Sequence, residues 1–203
     1  MKGNPIVIFI ALMIFIGITI YISKKIRYES IKCQEFTVNE DTLPLFKEWP
    51  TDWDTASTAP FLNDLQVISA YNCCSIGSNK ASFVKMCALR NCLKMGARFL
   101  DFEIYDIDDT PYVATSSSLS FNYKESYNKL KLREVLTFIN TNAFEVDYVG
   151  NLKLYPIILH FRIKSNNTEL FKNITSAITD SITPGRLMDA KYSKNFTTGI
   201  TED

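Results

Sequence analysis

The chain has 203 residues with 22 Lys and Arg against 22 Asp and Glu, so its formal net charge is zero. That balance removes the electrostatic case for nucleic acid, which is not expected as a partner. The five cysteines (Cys33, Cys73, Cys74, Cys87 and Cys92) form no regular framework. An odd, irregular set suits reduced thiols better than a secreted disulfide scaffold, and Cys87 and Cys92 lack the CxxC spacing of a zinc site.

The first element is Pro5 to Ile22, 18 uncharged residues that make about 27 Å of helix, enough for a bilayer core. A signal peptide is the rival, but the run is long, ends in bulky Ile20, Tyr21 and Ile22, and is followed by no small-x-small site. An uncleaved anchor over residues 1–22 is expected, with the lipid bilayer as partner of residues 5–22. Lys24, Lys25, Arg27 and Lys32 follow the span, against Lys2 and the α-amine before it. The positive-inside bias then places the remaining domain on the cytosolic side. Three N-x-T sequons, at Asn166, Asn173 and Asn195, would stay unmodified there.

Residues 23–60 read as a polar, extended connector in which Trp49 and Trp53 tuck under their own loop. Residues 61–203 read as α/β. Leu65–Asn72 is expected as a strand, and Ser82–Met95 as a helix striped by Val84, Cys87, Ala88, Cys92 and Met95 and stopped at Gly96. Ala97–Tyr105 and Thr110–Ala114 are expected strands, separated by a solvated turn at Asp108–Asp109. Leu132–Ile139 is a helix, Tyr155–Ile163 an apolar strand, and Asn166 with Glu169 a capping-box-like start for a helix bearing Leu170, Ile174, Ala177 and Ile178. This alternation points to a parallel sheet covered by helices. A closed (β/α)8 barrel takes about 250 residues. The stretch after Pro60 therefore suffices for roughly half of one, either the first part of a longer polypeptide, which is favoured, or a half-barrel completed by something else.

Four stretches carry a family resemblance. They are Ile68–Asn72 (ISAYN), Gly96–Asp106 (GARFLDFEIYD), Pro111–Leu119 (PYVATSSSL) and Tyr155–Arg162 (YPIILHFR). In this order they resemble the X region of phosphatidylinositol-specific phospholipase C, whose elements read I-S-S-H-N, G-x-R-x-x-E-x-D-x-W-D, P-V-V-x-H-G-x-T-L and Y-P-V-I-L-S-L-E. The resemblance implies a TIM-barrel-like domain, here a partial or truncated one behind a transmembrane helix. It also implies a general base, a general acid and, in the eukaryotic branch, a calcium ion held by Asn and carboxylates. The glycerophosphodiester phosphodiesterases, which share the G-x-x-x-x-E-x-D strand, are the next-best fit.

At the matching positions the two histidines are Tyr71 and Thr115, which cannot supply that acid/base pair at neutral pH. Of the calcium ligands, Asn72 remains, the E-x-D pair is inverted to Asp101-x-Glu103, and the last glutamate is Arg162. Strand alternation puts Asp101 and Glu103 on one face and His160 and Arg162 on the inward face of their own strand. Arg162 is therefore expected to bridge the two carboxylates in place of a metal, and no cofactor is expected. His160 is read as a hydrogen-bonded core residue, and Ser116–Ser118 as a polar turn, with a small anion nest as the alternative.

These readings lead to a membrane-anchored, catalytically silent phospholipase C-like domain that serves as a structural or interaction module. Its rivals are a phosphorylated-headgroup binding module, using Arg162 and the serine loop, and an active phosphodiesterase with an altered residue set. Usage rich in Ile, Asn, Lys, Phe and Tyr suggests an AT-rich genome. A small anchored protein with a decayed enzyme fold is similar to membrane-associated proteins of large DNA viruses. That likeness implies capsid or other membrane-associated proteins as partners and an internal virion membrane as location.

Overall fold

The computed structural model describes residues 5–35, 67–121, 123–144 and 156–188. Helix α1 covers Pro5–Glu35. Pro5 opens it, where proline's missing N–H costs nothing. Residues Pro5–Tyr28 are long and apolar enough to cross a membrane; their most apolar 18-residue window has mean hydropathy 2.8, and no part of it is buried. The helix does not stop at Ile22 as expected. Ser23–Glu35 contains neither Gly nor Pro, so nothing breaks the helix where its apolar run ends. The first 13 residues of the expected connector are thus a helical stem. Trp49, Trp53, Tyr155 and Asn195 lie outside the described residues.

Strand β1 is only Ser69–Ala70. The chain leaves the sheet at Tyr71 and turns through Asn72, whose φ of 47° is a left-handed conformation that Asn tolerates. Helix α2, Met86–Lys94, starts later than expected. Ser82–Lys85 stays extended because Val84 bridges Ser75 and the Asn128 side chain holds both the N–H and the C=O of Val84, each at 2.8 Å. Gly96, at φ 83°, ends the helical turn where the sequence placed a stop.

Strand β2, Phe99–Ile107, is the hub of the sheet. It pairs parallel with β1 and with β5, Ile158–Ile163, and antiparallel with β3, Thr110–Ala114. The short β4, Leu130–Lys131, pairs antiparallel with β3. The expected all-parallel sheet is therefore mixed. The reason is local: Asp108 and Asp109 form a two-residue turn at φ 54° and 58°, and so short a link can only return the chain antiparallel.

Helix α3, Leu132–Asn142, and helix α4, Thr168–Ser181, cover one face of the sheet with α2. Leu100, Phe102 and Ile104 of β2 point into that layer with Leu89, Leu136 and Leu170, all essentially fully buried. The fold is α/β, a curled partial (β/α)8-type sheet behind an apolar N-terminal helix. The cap of α4 is Asn167 and not Asn166: its side chain accepts from the Glu169 N–H at 3.0 Å. Its amide also donates to Asp106 and Asp109, each at 2.8 Å, tying the helix start to the β2–β3 turn. Asn167→Ala should cost about 1–2 kcal/mol, read as a lowered urea midpoint with unchanged slope; Asn166→Ala should leave the midpoint in place.

The cysteines also differ from expectation. Cys33 on the stem and Cys87 on α2, 54 residues apart, are joined by a disulfide, while Cys73, Cys74 and Cys92 are free. The helical continuation of α1 places Cys33 against the domain, a contact that an extended connector did not suggest.

Candidate functional site

The β2–β5 register sets Asp101 directly beside His160 and Glu103 beside Arg162. Alternation turns all four side chains away from the helix layer. Asp101 and Glu103 are buried, and the Arg162 side chain, 25% exposed, lies across them. Its Nη2 donates to Asp101 Oδ1 at 2.7 Å and to Asn72 Oδ1 at 2.7 Å. Its Nη1 donates to Glu103 Oε1 at 2.6 Å, and its Nε to Asp101 Oδ2 at 3.0 Å. Four of the five guanidinium N–H groups thus meet protein acceptors. These are short, charge-assisted bonds, the strong kind.

The two carboxylates are satisfied from other sides as well. Asp101 takes the Asn72 N–H at 3.2 Å and meets His160 Nδ1 at 2.7 Å. Glu103 Oε2 accepts from the Tyr105 hydroxyl at 2.7 Å and the Ser116 N–H at 2.9 Å. Burial pushes the Asp101 carboxyl up, but hydrogen bonds from Arg162, His160 and the Asn72 backbone outweigh it and hold the group below its ordinary value. For Tyr105, burial acts first and the Glu103 carboxylate second, and both push the phenol up, so it stays a donor.

Tyr71 stands at the mouth, 63% exposed, with its ring 4.3 Å from the Arg162 guanidinium. Thr115 is buried, and its hydroxyl has no hydrogen-bond partner among the described residues. His160 is not the core residue expected. Its side chain is 50% exposed, held by Asp101 and flanked by Phe99 at 5.7 Å between ring centroids. Among the described residues β5 pairs with β2 alone, so a parallel neighbour orders one side of it.

The serine loop does hold an anion, supplied by the chain itself. Glu125 Oε2 accepts from the Ser117 N–H at 2.7 Å, from Ser116 Oγ at 3.1 Å and from Ser117 Oγ. Lys80 lies 3.3 Å from its other oxygen. The bonds from Ser117 are the main reason that the Glu125 carboxyl is drawn down to about 2. The sequence reading missed Tyr105, Ser116 and Glu125 as partners. Tyr105 was legible, since it sits two residues beyond Glu103 on the same strand face. Glu125 was not, since loop closure over nine residues leaves no periodic signal.

Residues 60–194 match the family profile described as phosphatidylinositol-specific phospholipase C, X domain. The chain belongs to that family. Two crystal structures also align with this X domain. S. officinalis PLC21 does so at TM-score 0.47 and 18% identity, over 58% of this chain and 13% of that one. L. pealei PLC21 does so at TM-score 0.45 and 18% identity, over 57% and 13%. Overlaps that loose add nothing about the site, and the chain spans about an eighth of those proteins' length. Curated proteins yield no match.

The calcium ion of the eukaryotic branch does not fit this X domain. The three groups that would ligate it, Asn72, Asp101 and Glu103, all accept from Arg162. A guanidinium replaces what would be a fourth, anionic ligand, so a divalent ion would face a fixed positive charge inside its own coordination shell. No group of three His, Cys, Asp or Glu side chains among the described residues is arranged to hold a metal.

Proposed function

We propose that this X domain is catalytically silent and serves as a membrane-anchored structural or interaction module. The observation that carries this reading is the Arg162 bridge to Asp101, Glu103 and Asn72, which fills with protein donors the place where the family's chemistry gathers charge. Tyr71 and Thr115 support it: one is an exposed phenol stacked on Arg162, the other a buried hydroxyl, and neither is the imidazole that the family's acid/base chemistry uses. Headgroup binding is the weaker reading. Four N–H groups of Arg162 are already engaged, and Glu125 occupies the serine loop.

In this reading Pro5–Ile22 is the anchor, within the helical stretch Pro5–Tyr28 that is apolar enough to cross a membrane, and residues 61–203 form the domain it carries. The basic residues after the apolar run put that domain on the cytosolic face, where its partners are other membrane- or capsid-associated proteins. The full chain in detergent, given phosphatidylinositol or its bisphosphate with calcium or with chelator, should release no inositol phosphate above the lipid blank. Turnover that disappears in His160→Ala or Asp101→Asn would overturn the proposal, because it would show a working site built on other residues.

A further inference from the structure

The Cys33–Cys87 bond joins the stem of α1 to α2. Among the described residues no strand or helix of the domain shares an extensive packed face with α1. The resolved non-covalent fastening includes Lys25, whose ammonium sits 3.8 Å over the Tyr127 ring. The covalent link falls five residues beyond Tyr28, where the candidate membrane-crossing stretch ends. It therefore sets how the domain is held against the anchor.

Two of the other thiols are kept out of this chemistry, while the third, Cys92, is partly exposed and is drawn below its ordinary value by its contact with Cys73. Cys73 and Cys74 are buried. The Cys92 contact and burial raise the Cys73 thiol, and burial raises that of Cys74, so both stay protonated and poorly nucleophilic. Cys33 and Cys87 lie in partly exposed positions, within reach of an exchange partner.

We propose that Cys33 and Cys87 form a redox-set staple between the stem of the membrane helix and α2: closed as a disulfide, it fixes the domain against the anchor, and open as two thiols, it frees the stem. Closing transfers two electrons and two protons from the thiols to a dithiol–disulfide oxidant, through a mixed disulfide that the second thiolate resolves. The reverse exchange with a reducing thiol opens it. The cytosolic placement in the proposed function makes this a responsive bond and not a permanent one, since disulfides there are transient or redox-sensing. The inference rests on that placement, which protease protection of sealed membranes tests separately.

The test uses the full chain in detergent, equilibrated with oxidised or with reduced glutathione, alkylated and mapped by mass. Trypsin cleavage after Arg27 and Lys32 reports stem release. Oxidised glutathione should produce the Cys33–Cys87 link alone, and reduced glutathione should remove it and speed stem cleavage about tenfold or more, on the scale of a native cross-link. Cys33→Ser and Cys87→Ser should cleave fast in both buffers. A link formed at Cys92 or Cys73 instead, a link that reduced glutathione leaves intact, or equal cleavage with the link open and closed would each overturn the staple. The unaltered chain in the two buffers decides this even if a serine variant fails to fold.

Discussion

Replacing Arg162 with Glu should lower the stability of the domain by about 3 kcal/mol or more, because removing one partner of a buried ion pair leaves the other charges uncompensated. Here the uncompensated groups are two carboxylates with side chains only 7% and 2% exposed, with a third carboxylate added beside them. For a domain of this size that corresponds to a melting temperature lower by roughly 10 °C. Calcium should restore part of the loss in the variant, since four oxygen-bearing groups then surround the vacated position and a ligand stabilises only the state that binds it. The parent protein, whose guanidinium already occupies that place, should melt at the same temperature with calcium or with chelator. A parent melting temperature that climbs steeply with calcium would refute the bridge.

The same exchange should reverse the acid branch of the stability curve. In the parent, Asp101 is held below its ordinary value of 3.8. Its contribution is present in full above that value and is lost as the pH falls through the lower folded-state value. Without the guanidinium, the His160 and Asn72 bonds still favour the Asp101 carboxylate, but burial and the crowding of three carboxylates favour the protonated form. The folded state then binds more protons than the unfolded one, so the variant should gain stability as the pH falls from neutral toward the carboxyl range. A variant whose acid branch parallels that of the parent would mean that Arg162 does not govern these carboxylates.

Phe102→Ala should cost about 3–5 kcal/mol by a different route. Phe102 lies between Asp101 and Glu103 in sequence but on the opposite face of β2. It is almost fully buried against the helix layer and tilted at 45° against Phe161, 6.0 Å away. The loss is a cavity and an aromatic contact, with no change in charge. Denaturant unfolding should show the full cost, while the variant should stay indifferent to calcium and keep the parental acid branch. A calcium response in Phe102→Ala would show that the site face and the core face are not independent across one strand.

That separation of faces was legible in the sequence. The alternation through Leu100–Ile104 and Leu159–Ile163 assigned Asp101, Glu103, His160 and Arg162 to one side and the apolar residues to the other. Side-chain direction in a strand follows from backbone geometry alone. Thr110–Ala114 has the bounds expected of it, because Asp108–Asp109 and the loss of apolar alternation mark both ends. The helical stripes of α3 and α4 were legible for the same reason, and so was the apolar run of α1, whereas α2 buries Ala88, Leu89, Asn91 and Leu93 and leaves the expected Met95 exposed.

Tertiary structure decided what depends on partners distant in the chain. The first strand shrank to Ser69–Ala70 because β2 offers it only two paired positions before Asn72 turns away. Helix α2 lost its expected first turn to the Asn128 side chain, 44 residues off. The choice of Asn167 over Asn166 as cap turned on contacts with Asp106 and Asp109, not on local pattern. The link between Cys33 and Cys87 could not be read at all: sequence spacing does not determine cysteine connectivity. The half-exposed place of His160 and the capture of Glu125 by the serine loop likewise depend on which strand and loop meet in space. Local periodicity thus determined what kind of side chain each face carries, and long-range pairing decided which of those side chains touch.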